Sequence, residues 1–426
     1  MVMRAGAAAG AGQFAHVLAR TTFGPYPGQV AAALERAPTA AALVDQLLAA
    51  PPLPFDPPVD IDAANSEDVR LWMGFRQWWV DRMLRDDAGL HERMMWFWHG
   101  LFTTSWNKVD DTNLCWRQLR TLHQHALGNL GDLAKALTVD GAMLRYLDGQ
   151  DSIASDPNEN YGRELMELFL LGIGNYTQPD VVAAAKALAG WRIDLVDGRV
   201  YQEPSWSLRE PVEFLGERQQ FDVAGIVDRI LDQDACAPFV VGRVWDVFVG
   251  GERDAELMRG WADRFRSSGY RIAPLMDEVL HSDAFLNARR TRASTPLEWY
   301  LGAIRATGEP TERSVERLAG LGQEPYLPPS VAGWPIGDEW LNPTQFRSRS
   351  NTLANFSFPA ADVVASSAAP AEMALERCSI VDAGDATRST IAELDAQLAA
   401  DPAVDARARG TALLAAALLS PEASLR

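Results

Sequence analysis

Apolar residues recur along most of this chain at the three- and four-residue spacing of a helix face. Trp72, Phe75, Trp79 and Met83 share one side of a segment covering 66–84, with Ser66 as its expected N-cap. Residues 90–102 are apolar nearly all round, so a buried helix is expected there. Further helices are expected at about 112–127, 131–138 and 159–171. Thr177-Gln178-Pro179-Asp180 has the form of a capping box and opens a helix to about Trp191. Helical spacing returns at about 222–232, 236–249, 253–268 and 274–281. Thr295-Pro296-Leu297-Glu298 then combines an N-cap, a proline in the first position and an acid in the third.

The helical pattern breaks in few places. Trp191 to Leu195 and Arg199 to Gln202 flank Asp197-Gly198, which reads as a β-hairpin. Residues 323–350 hold five prolines and four aromatics, the mark of a long ordered loop of the kind that often carries function. The proline-rich stretch 51–58 reads as a linker or exposed crossing, and the alanine-rich piece 359–375 as a flexible connection. Helices near 388–399 and 405–420 follow it. The fold class is therefore all-α, a multi-helix globular protein with a small β-hairpin near 191–202. The chain reads as a single large helical domain, 1–426. Within it, 1–190 would hold the motif-bearing helices, and 220–426 the C-terminal helices and the Pro/Trp-rich loop.

Composition narrows the partners. The net charge of −18 argues against nucleic acid and anionic membranes, which both need a basic face. The 14 tryptophans point to a wide packed core more than to a binding cleft. Cys115, Cys236 and Cys378 are far apart and form no CxxC pair, which suits a reducing compartment. No apolar run is long enough to span a membrane, and the N-terminal Ala/Gly residues do not make a signal core. A cytoplasmic protein is expected.

Two helices concentrate the polar chemistry. On a 100° wheel, Glu159, Arg163 and Glu167 form a stripe of the 159–171 helix, with Asn160 and Glu164 beside it. Tyr161, Leu165, Leu168 and Phe169 lie opposite, and Leu170 and Leu171 close the stripe's far end. One reading is a solvated face with i,i+4 ion pairs; the other is a buried network holding a site. In the 90–102 helix, Glu92 and His99 stand seven residues apart, on nearly one line. A carboxylate there would orient the imidazole. Glu164 and Glu167, with His99, would supply ligands for a transition metal. Yet Glu-x-x-His is absent, and His91-Glu92-Arg93-Met94-Met95 lacks the second histidine of a zincin helix. His123 and His125 point to different helix faces, so they do not chelate as a pair. No dinucleotide, P-loop, nucleophile-elbow or haem-attachment motif occurs, though a non-covalent haem on His99 stays open.

These motifs resemble the bacterial domain-of-unknown-function 1800 family over nearly the whole chain. The resemblance runs through Leu18-Ala19-Arg20-Thr21-Thr22-Phe23-Gly24-Pro25, Glu92-Arg93-Met94, Phe97-Trp98-His99 and His125-Ala126-Leu127-Gly128-Asn129. It continues through Asn158 to Leu168, Gly174-Asn175-Tyr176-Thr177, Gly190-Trp191 and Pro328 to Pro335. It implies a helical fold and, from gene neighbourhood, a second protein encoded nearby as partner. It also implies export for many relatives, whereas no export leader is expected here. The family commonly reads Trp-His-x-His-Phe where Trp98-His99-Gly100-Leu101-Phe102 stands, and Leu-Thr-Gly-Trp where Leu188-Ala189-Gly190-Trp191 stands. The missing second histidine at Leu101 weakens a metal site built on a histidine pair.

Two functions remain. The first is an enzyme, metal-dependent and oxidative or hydrolytic, acting on a small-molecule or peptide substrate. Its site would lie between the 90–102 and 159–171 helices under the 323–350 loop. Glu92, His99, Asn160, Arg163, Glu164 and Glu167 would carry the chemistry, and Asn158, Tyr161, Trp191 and Trp334 would contact substrate. The second is a non-catalytic binding or scaffold protein whose polar block is a structural network.

Overall fold

The computed structural model describes residues 5–56, 68–194 and 196–426. Ser66, residues 57 and 58 of the proline-rich stretch, and Leu195 of the hairpin lie outside these. The fold is predominantly helical, and among the described residues strands occur only as two separate antiparallel pairs. Helices stand at Leu90–Leu101, Thr112–His125, Leu130–Thr138, Gln178–Ala187, Val223–Leu231, Ala255–Ser267 and Ile272–His281, close to their expected bounds. Asp68 caps Val69–Met83 by accepting from the Arg70 N–H at 2.7 Å. The capping box at Thr295 forms in both directions: Thr295 N–H donates to Glu298 Oε2 at 3.0 Å, and Glu298 N–H to Thr295 Oγ1 at 3.3 Å.

Two expected helices change pitch before they end. Glu159–Glu164 is α-helical, but Leu165–Leu170 is a π-helix. Cys236–Val244 passes in the same way into a π-helix over Trp245–Val249. The wider turn shifts side chains off the 100° wheel, and such turns recur at functional sites. In the first, the amides of Leu171 and Gly172 both close on the Met166 carbonyl, at 2.8 and 3.0 Å.

The expected hairpin pairs Trp191–Ile193 with Val200–Gln202. A second pairs Val212–Phe214 with Glu217–Gln219, around a turn with positive φ at Leu215 (46°) and Gly216 (81°). Two positive values are what a two-residue hairpin turn needs. Leucine is a costly occupant of the first position. It is pinned because its N–H donates to Asp180 at 2.8 Å and its carbonyl accepts from Arg229.

The stretch 323–350 is only partly a loop. It is irregular to Ile336, then forms a 3-10 turn at Gly337–Trp340 and a helix at Pro343–Leu353 capped by Asn342. The alanine-rich 359–375 is not a loose connection. It holds helices Ala361–Ala365 and Pro370–Arg377, whose Ala361, Val364, Ala374 and Leu375 are buried. Alanine has the best helix propensity, and packing against Ala406–Leu418 completes the reason.

Among the described residues the core draws on elements from the first helix to the last turns and contains most of the tryptophans. Among the described residues no helix is long and apolar enough to cross a membrane. Gly333 seats the irregular loop on the end of the Leu90–Leu101 helix. Its φ is 84°, and a Cβ there would sit 2.5 Å from the Gly100 carbonyl oxygen. Gly333→Ala is therefore expected to destabilise the protein by more than about 1 kcal/mol, because both the backbone conformation and the space forbid it. Gly320→Ala, in a helix with nothing near its added carbon, should be neutral or stabilising by up to about 1 kcal/mol. Urea unfolding of the two variants checks the contrast; equal behaviour would refute the account of Gly333.

Candidate functional site

The polar block of the Glu159–Leu170 segment is half-buried surface rather than interior. Asn158 is its N-cap, accepting from the Asn160 N–H at 2.9 Å, and Asn160 Nδ2 reaches the Leu147 carbonyl at 3.4 Å. Arg163 donates to Glu159 (3.0 Å) and Gln178 (2.9 Å), and Gln178 closes the triangle on Glu159 at 2.7 Å. Glu167 accepts from the Tyr176 hydroxyl. Burial, then the Glu167 charge, pushes the Glu164 carboxyl above its usual range. Burial and the bond to Glu167 raise the Tyr176 phenol to about 12. Tyr161 belongs to the core, its hydroxyl bonded to the Leu137 carbonyl at 3.0 Å. Trp191 lies in the first hairpin.

His99 does not share a site with those carboxylates. It is fully buried, and the rings of Trp79, Trp96, Tyr326 and Trp334 surround it at centroid distances of 4.4–5.6 Å. Its Nε2 accepts the Tyr326 N–H at 3.2 Å, so the proton sits on Nδ1. Burial lowers its pKa to about 3. Tyr326 itself has a positive φ of 61°, and its hydroxyl holds the Cys115 carbonyl at 2.9 Å. His99 therefore anchors the loop. With Nε2 engaged and aromatic rings around it, His99 does not come together with Glu164 and Glu167 as a set of metal ligands among the described residues.

Glu92 does not orient His99 either. Its carboxylate is paired with Arg82, whose guanidinium lies against the Phe55 and Trp78 rings. The two histidines near Glu92 are His91 and His123; ligand atoms of the three lie within 4.8 Å of one another. The sequence separates His123 from the other two by a helix and a turn, so spacing alone could not show this.

The charged centre of the molecule is elsewhere. Glu298 is fully buried and binds Arg292 in a fork, at 2.6 and 2.8 Å, as well as Arg93. Burial alone would raise its pKa; the Arg292 and Arg93 charges override that and hold it well below the usual carboxylate range. Arg292 also donates to the Val247 carbonyl at 2.8 Å, capping the Trp245–Val249 π-helix. A signal for this cluster was present: Arg93 sits on a helix that is apolar nearly all round, and a buried arginine needs an acid.

Arg93, Arg292 and Arg243 line a cavity of about 70 Å³ whose other wall is the loop residues Trp334, Pro335 and Ile336. Trp96 and Phe97 complete its apolar side. Two of its lining residues carry buried nitrogens with no hydrogen-bond partner: Nε and Nη1 of Arg93, and Nε1 of Trp334. A cavity of about 120 Å³ lies on the other side of Glu298. Its histidine and Arg290 are already matched: His16 with the Phe285 carbonyl at 2.8 Å, Arg290 with Asp382 at 2.7 Å. Of these two cavities, the smaller is the one whose lining residues carry unmet donors.

Fold and site together define a helical protein with an arginine-floored, tryptophan-walled cavity beneath a loop. By sequence the chain belongs to the family described as Protein of unknown function (DUF1800), which matches residues 16–425. No curated protein and no solved structure matches it.

Glu298→Ala would leave two buried guanidinium groups uncompensated and is expected to cost about 3–5 kcal/mol. Glu164→Ala, on a half-exposed face, should cost less than about 1 kcal/mol. Chemical denaturation of both variants tests whether the structural network is at Glu298 or in the polar block; the reverse order would contradict this assignment.

His99 adds an acid sensitivity. Its folded pKa of about 3 lies below the ordinary 6.5, so the unfolded chain binds this proton first. The stability it contributes is present above pH 6.5 and is lost as pH falls toward 3. Nitrogen-15 NMR should find a neutral His99 ring in the folded protein at about pH 5; an imidazolium signal there would refute it.

Proposed function

We propose that the protein binds a small carboxylate-bearing molecule in the cavity between the Leu90–Leu101 helix and the 323–336 loop. The observation that carries this is the set of three buried donor nitrogens, two of Arg93 and one of Trp334, that have no hydrogen-bond partner. Each orphaned donor costs about 1–3 kcal/mol, a penalty that an acceptor-rich ligand relieves. The charge balance points the same way. Burial lowers the Arg93 pKa and the Glu298 charge opposes this, yet that one carboxylate serves Arg93 and Arg292 together. Asp246, also at the cavity, is engaged by Arg253 at 2.6 and 3.0 Å. A carboxylate ligand would balance the remaining arginine charge at the cavity, in a chain whose overall net charge is −18. The volume suits a small acid rather than a peptide, and the Trp96 and Trp334 rings, stacked with centroids 5.1 Å apart, offer an apolar wall.

This reading develops the binding alternative. Catalysis at Glu164 and Glu167 is a second reading, favoured by the raised Glu164 carboxyl at the start of the π-helix. The two readings concern different faces and do not require each other.

Calorimetry with acetate, propionate and benzoate, each against its amide at matched ionic strength, tests the cavity. Carboxylates should bind and raise the melting temperature while the amides do not. Arg243→Gln, which removes a wall charge without touching Glu298, should weaken binding about tenfold. Equal behaviour of acids and amides would overturn the proposal.

A further inference from the structure

His91, Glu92 and His123 come together where the start of the Leu90–Leu101 helix meets the last turn of Thr112–His125. One ring nitrogen from each imidazole and a Glu92 oxygen lie within 4.8 Å of one another. We propose that these three side chains bind a divalent transition metal ion, at a site separate from the arginine-floored cavity. Two imidazoles and one carboxylate suit zinc, iron or cobalt better than magnesium or calcium, which prefer oxygen throughout.

The surroundings are those of a built centre. His123 Nε2 stands 3.1 Å from the Leu53 carbonyl, an acceptor, so Nε2 carries the proton and Nδ1 the lone pair. A ligating histidine is commonly fixed in this way by its other nitrogen. His91 Nδ1 is buried with no hydrogen-bond partner. Arg82 donates to both Glu92 oxygens, which orients the carboxylate but uses only part of its acceptor capacity. The Phe55 and Trp78 rings hold that guanidinium from its other side. Ligands about 2.0–2.2 Å from a tetrahedral ion lie roughly 3.4 Å apart, so side-chain rotations of about an ångström close the set.

The trio also has an entrance. Glu92 is buried, but His91 and His123 are each part-exposed. Three protein ligands leave a coordination position for water, as in catalytic zinc centres rather than structural ones. The competing arrangement is a hydrogen-bonded cluster with no ion. It accounts for Glu92 but leaves His91 Nδ1 orphaned.

Cobalt(II) chloride added to the untagged, metal-stripped full chain tests this directly. One Co²⁺ per chain should bind with visible d–d bands, and zinc chloride should displace it. His123→Asn should lower the affinity by more than about tenfold, while His125→Asn leaves it unchanged. If His123→Asn fails to fold, His91→Asn takes its place. Wild-type protein that takes up no stoichiometric Co²⁺ overturns the proposal whatever the variants do. So do cobalt–thiolate bands, which would place the ion on a cysteine, and undiminished binding in a folded His123→Asn protein.

Discussion

A single buried carboxylate organises this molecule. Glu298 caps its own helix, forks onto Arg292 and takes Arg93 from the Leu90–Leu101 helix. Desolvating three such charges is expensive, and only close geometry repays the cost. That demand fixes how two helices far apart in sequence approach each other. It also aims Arg292 at the carbonyl end of the Trp245–Val249 π-helix. The cavity is what remains between these elements once the charges are matched. Two of its three unmet donor nitrogens belong to Arg93, the same arginine that supports the fold.

His99 shows how a chemically loud residue can serve position rather than reaction. In sequence it is a histidine among tryptophans, and metal or acid–base roles come first to mind. In the fold it gives its lone pair to one backbone amide and its faces to aromatic rings. The backbone it holds is Tyr326, in a left-handed conformation that would otherwise be costly. Trp334 stands eight residues further along and reaches the cavity because this part of the loop is pinned. His99 thus acts on the site through the loop's shape.

Much of the helical frame was legible because its signals are local. Thr295-Pro296 and Glu298 announce their helix within four residues, and Asp197-Gly198 marks its hairpin. Non-local facts were hidden. Leu215-Gly216 turns a hairpin although leucine is a poor turn residue; Asp180 and Arg229 stabilise it from elsewhere in the chain. The π-helices carry no turn residue to betray them, so a regular wheel gives no hint of the change of pitch. Alanine content made 359–375 look loose, when burial against a later helix decided the matter. Of the candidate site, Trp334 and the loop as a wall could be read from sequence. Arg243, Arg292 and the meeting of His91 with His123 depend on tertiary approach.

Arg20 carries a consequence for the order of events in folding. Its fully buried guanidinium finds acceptors at Val247, Val249, Ala288, Thr291 and Arg426, and no nearer in sequence. During synthesis the helix that bears it emerges more than two hundred residues before the first of these partners. Until then a cation designed for the interior must remain hydrated, and the helix cannot dock for good. Contacts of such long range slow folding because loop closure must precede their reward. The early helix therefore reaches its final seat only when the late chain arrives to receive its arginine.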